Sequence, residues 1–83
     1  MRTAKAVAAT IHIADTLRRV VAGLPSEVTM EIREAKTLRQ AAIEVGVPPI
    51  LIVFAVVDGV RKGLDEPLTD GARVHFHGTM AGG

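Results

Sequence analysis

The chain is expected to fold as an α+β roll, a mixed sheet of four to five strands with one main helix packed on one face. Three features of the sequence predict it. Short segments of period-two alternation recur along the chain. A single capped amphipathic stretch follows the second of them. Clusters of Gly, Pro and Asp punctuate the remainder. The other face of the sheet is left open.

Residues 5–13 supply the first strand: Val7, Ala9, Ile11 and Ile13 share one face, and Ala6, Ala8, Thr10 and His12 the other. Both faces are fairly apolar, which places the strand inside the sheet rather than at its edge. Residues 15–25 read as a loop with one helical turn, stopped by Gly23 and Pro25. Residues 28–32 form a second strand with Val28, Met30 and Ile32 on one side, antiparallel to the first. Thr37 and Gln40 have the spacing of a capping box. Leu38, Ala41, Ala42 and Val45 then make one apolar stripe, giving a helix of about ten residues. Gly46 suits the left-handed position past its end, and Pro48 and Pro49 prevent continuation. Residues 50–57 read as a third strand, Asp58-Gly59 as a hairpin turn, and residues 60–64 as a short fourth strand. After a second turn at residues 67–71, Val74 and Phe76 alternate with Arg73, His75 and His77 in a last strand. Residues 1–77 thus make one domain, and the glycine-rich residues 78–83 are expected to be a flexible tail.

Composition narrows the function. A chain of 83 residues has room for one domain and too little bulk to wall a deep catalytic cleft. Its formal charge of +1 gives no nucleic-acid footprint, and two Phe without Tyr or Trp give no base-stacking platform. The absence of cysteine removes disulfides, thiolate metal sites and a Cys nucleophile, and fits a cytoplasmic protein. The faint signal-peptide look of the first residues is cut by Thr10, His12 and Asp15. The apolar run of residues 48–57 is about half the length a membrane span needs, so no membrane partner is expected.

Several stretches carry a family resemblance. Residues 65–74, including Pro67-Leu68-Thr69-Asp70-Gly71, resemble the "pLkDGDeV" stretch of the MoaD/ThiS sulfur-carrier family. Val57-Asp58-Gly59 resembles its "VNG" turn, and residues 13–18 the "ffatlR" stretch of its MoaD branch. Met80-Ala81-Gly82-Gly83 is similar to that branch's "vaGG" terminus. The resemblance covers nearly the whole chain and implies a β-grasp, or ubiquitin-like, fold. The chain departs from the pattern at Gly78-Thr79, where the family has a proline pair, and at Asp58, where it has Asn.

The resemblance implies a carrier that is a substrate rather than an enzyme. A ubiquitin-activating-like adenylyltransferase spends ATP on the Gly83 carboxylate, and the carrier itself binds no cofactor. A desulfurase or rhodanese then supplies sulfur for a C-terminal thiocarboxylate. An acceptor, for the MoaD branch the large subunit of molybdopterin synthase, takes the sulfur. Carriers for thiamin, tRNA thiolation, cysteine or secondary metabolites, and isopeptide-forming protein modifiers, remain open alternatives. The residue types suit the task, because Gly82 and Gly83 lack a Cβ and pass through a narrow channel. The six residues from Gly78 to Gly83 reach at most ~20 Å. The expected partner contacts are Thr79, Met80, Ala81 and Gly82 in the tail and Arg73, His75 and His77 on the open sheet face. His12, His75 and His77 also raise a zinc alternative, which no cysteine or paired acidic ligand supports, so no metal is expected.

Overall fold

The computed structural model describes residues 7–79. Five strands run in the order β1 (Ala8–Ile13), β2 (Glu27–Glu31), β3 (Ile52–Val57), β4 (Val60–Lys62) and β5 (Arg73–Gly78). Helical turn α1 (Asp15–Arg18) follows β1, and the main helix α2 (Leu38–Val45) follows β2. The strands form one sheet in the spatial order β2-β1-β5-β3-β4. β1 and β5 are parallel neighbours at its centre, and the other pairings are antiparallel. With α2 packed on one side, this is the β-grasp arrangement that the sequence predicts.

Alternation decides the two faces. Ala9, Ile11 and Ile13 of β1, Met30 of β2, Ala55 of β3, and Val74 and Phe76 of β5 are buried. They share one cluster with Leu38, Ala41 and Ala42 of α2. The small alanines let the helix lie close to the sheet. At α2's start, the Thr37 hydroxyl accepts from the Gln40 N–H at 3.2 Å. Leu38 and Arg39 donate their N–H groups to the Glu66 and Leu64 carbonyls, each at 2.9 Å. Three of the orphan donors of a helix N-terminus are thereby satisfied. At the other end Gly46 takes φ 97°, and the Val47 N–H returns to the Ala42 carbonyl at 2.9 Å, a Schellman closure.

Several expected boundaries move. β3 starts at Ile52 rather than residue 50, because Pro48 and Pro49 launch a 3₁₀ turn, Pro49–Leu51, in which the Leu51 N–H reaches the Pro48 carbonyl at 3.0 Å. β4 stops at Lys62 rather than residue 64, since the chain turns away to offer the Leu64 and Glu66 carbonyls to α2. β2 sits one residue earlier than expected, and α2 has eight residues rather than about ten. Val7, expected on the inner face, is exposed, and the first strand begins at Ala8. Gly78, expected to open the tail, is the last residue of β5 and is buried. Among the described residues no helix is long and apolar enough to cross a membrane.

Candidate functional site

The sheet face opposite α2 gathers side chains from four strands. The parallel register sets Thr10 beside Arg73 and His12 beside His75. Across β5, the antiparallel register sets His77 beside Phe54 and His75 beside Val56. Val56 in turn faces Arg61 of β4. Ala8, Thr10, His12, Arg73, His75 and His77 are all at least partly exposed there, the grouping expected from alternation.

The rings form a ladder. His12 and His75 stack with centroids 4.3 Å apart and planes 8° from parallel. Phe54 and His77 stack at 4.6 Å and 13°, and His75 and His77 lie 6.4 Å apart. The Arg61 guanidinium sits 4.6 Å from the centre of the Phe54 ring, a cation–π contact worth about 0.5–1 kcal/mol at an exposed site. At the other end, His12 Nδ1 lies 3.4 Å from a Glu27 carboxylate oxygen. Burial, followed by the charges of His12, His77 and Arg73, holds His75 below the usual histidine range. Rings stacked face to face direct their nitrogen lone pairs side by side rather than toward one point. Among the described residues no group of three or more His, Cys, Asp or Glu is arranged to hold a metal ion.

Phe54, Val56 and Arg61 join this face without having been expected there. The two-residue Asp58-Gly59 turn would have placed Arg61 opposite Val56 by counting. Phe54, two residues before Val56 in the regular part of β3, falls on the same face by the same count. The register slips by one only beyond Phe54, at Val53, so the bulge breaks the alternation for Ile52, which is buried.

The second part of the site is the end of β5. Gly78 pairs with Ile52 on one side and donates its N–H to the Thr16 hydroxyl at 2.9 Å on the other. Thr79 follows, exposed and outside the strand. Of the expected site residues, Arg73, His75 and His77 therefore lie together on the open face, with Thr79 just past the strand that carries them. Met80, Ala81, Gly82 and Gly83 lie outside the described residues. Arg73 is also tied at the backbone: its N–H donates to Asp58 Oδ1 at 3.0 Å, and its carbonyl accepts from the Asp58 N–H at 2.9 Å. A cavity of about 310 Å³ lies between the β3–β4 hairpin and the 66–69 segment. Its lining combines apolar side chains with Asp58, Lys62 and Glu66 and contains no histidine. Neither the family models nor the curated proteins compared with this chain match it.

Proposed function

We propose that this protein is a sulfur carrier whose Gly83 carboxylate is adenylated and then converted to a thiocarboxylate. The observation that carries the reading is the combination of a β-grasp body with a glycine-containing segment that leaves the end of its central strand, β5. A glycine-containing segment that follows the central strand suits delivery of a carboxylate into another protein's active site, while the body stays outside. The five residues beyond Gly78 reach at most about 18 Å. The open face around His75, His77, Arg73 and Phe54 is half-apolar and suits a transient partner.

In the first step a carboxylate oxygen of Gly83 attacks the α-phosphorus of ATP and pyrophosphate leaves. In the second, the outer sulfur of a donor-protein persulfide attacks the acyl carbon and AMP leaves; a second thiol of the donor or activating enzyme then attacks the donor-side sulfur of the resulting acyl disulfide, forming a disulfide and releasing the thiocarboxylate. The carrier contributes the acyl group, and the partner enzyme supplies the catalytic groups. Within this class the MoaD resemblance favours molybdopterin synthesis, with this chain as the small subunit beside a larger catalytic one.

Exchange of labelled pyrophosphate into ATP, catalysed by a MoaD/ThiS-type activating enzyme, tests the first step. The expected result is exchange that depends on this protein and is abolished by deletion of Gly83. Replacement of Gly82 by Val should slow it severely, because a branched side chain obstructs a channel built for glycine. Exchange that is indifferent to deletion of both glycines would refute the reading.

A further inference from the structure

Three contacts meet at Gly78. Because β1 and β5 are parallel and in register at Ile13 and Phe76, the turn that follows β1 lies beside the end of β5. The Ala14 N–H reaches the Phe76 carbonyl at 3.1 Å, and two residues further along each segment the hydroxyl of Thr16, in α1, accepts from the Gly78 N–H. A Cβ at Gly78 would lie 2.8 Å from Leu17 Cδ2 and 3.2 Å from the Leu51 carbonyl oxygen. Leu17 is only 1% exposed and belongs to the core cluster, so it has no room to swing aside. α1 is itself held firmly. Arg18 donates from Nε to the Ile13 carbonyl at 3.2 Å and pairs with Asp15. The chain passes from a buried residue gripped on three sides, Gly78, to an exposed one, Thr79, in a single step.

We infer that Thr16 and Leu17 form a clamp on Gly78 that fixes where, and in which direction, the following residues leave the sheet, and that they are positioning residues for uptake of that segment by an activating enzyme. The kinetic half of this inference rests on the carrier reading; the clamp itself does not. The path of the backbone at Gly78 and Thr79 decides which volume the residues after them can reach. Releasing the root would add conformations that must be lost again on insertion. That cost falls on association with the partner, not on the chemical step, because neither side chain touches the reacting carboxyl group.

The test compares the wild-type protein with Thr16→Val, which keeps the shape and removes the acceptor, and Thr16→Ser, which restores it. Amide hydrogen exchange by NMR reads the clamp. Exchange at Gly78 should quicken about fivefold in Thr16→Val, the factor for losing one hydrogen bond of about 1 kcal/mol. It should return to the wild-type rate in Thr16→Ser, with the Val74 and Phe76 amides unchanged in both. With the activating enzyme, Thr16→Val should raise KM by a similar factor and leave kcat alone, as expected for lost binding that is equal in ground and transition states. Unaltered Gly78 exchange in Thr16→Val would overturn the clamp. Faster Gly78 exchange with an unchanged KM, or a fall in kcat alone, would overturn the positioning role. If the wild-type protein is not adenylated at all, the carrier reading and the positioning role fall together, while the exchange rates still decide whether the clamp exists.

Discussion

His75 stands between His12 and His77 on the open face, with Arg73 two residues before it on the same strand. Its partial burial and three cationic or protonatable neighbours all disfavour the imidazolium, so its pKa in the folded protein lies below the ordinary value. The linkage has a definite sign. Around the ordinary histidine pKa of about 6.5 the unfolded chain takes up a proton that the folded chain refuses. The contribution of His75 to stability is therefore complete above that value and is lost as the pH falls through it toward the lower folded pKa. Thermal unfolding midpoints measured between about pH 7.5 and about pH 5 should fall less steeply for His75→Gln than for the wild-type protein. Equal slopes would show that His75 is not the residue refusing the proton.

At the scale of elements, the β3–β4 hairpin shows how a turn's backbone controls its cost. Asp58 and Gly59 take φ 50° and 84°, the two positive values of a type I′ turn that matches the strands' twist. A Cβ at Gly59 would meet nothing within 4 Å, so the penalty of Gly59→Ala is conformational alone, about 1–2 kcal/mol. Gly63 just beyond β4 has equally open surroundings and no positive φ. Gly63→Ala should be neutral, or stabilising by up to about 1 kcal/mol through the unfolded chain. Chemical denaturation of the two variants checks the contrast, and equal effects would contradict the turn assignment. The elements also separate what the sequence makes legible from what it does not. α2 is readable because its cap, its stripe and its glycine stop are all local, and Thr37, Leu38, Ala41, Ala42 and Gly46 behave as their spacing implies. The ends of β3 and β4 are not, because they depend on distant partners: Leu64 and Glu66 leave the sheet to serve the N–H groups of Leu38 and Arg39. The open face is half legible for a related reason. Arg73, His75 and His77 follow from alternation, and Phe54 and Val56 from the hairpin register, whereas the side taken by Ile52 is set by the bulge at Val53, which no local pattern marks.

For the whole molecule, the decisive feature is the parallel pairing of β1 and β5 at the centre of the sheet. It brings the first connection, α1, against the end of the last strand, a contact of 62 residues' separation that no local pattern encodes. Periodicity gives no sign of this pairing, which comes with the β-grasp fold that the family resemblance implies. The pairing also gives the chain beyond Gly78 a rigid base, with a histidine- and arginine-bearing face along the strand that leads to it. The account of this base as the root of a sulfur-carrying tail is tested most directly by intact mass spectrometry. The protein would be incubated with ATP, a MoaD/ThiS-type activating enzyme and a sulfide source. The account predicts a mass gain equal to the replacement of one oxygen by one sulfur, located at Gly83 and absent without ATP. An unchanged mass, with an activating enzyme that thiocarboxylates its own carrier in the same mixture, would contradict it.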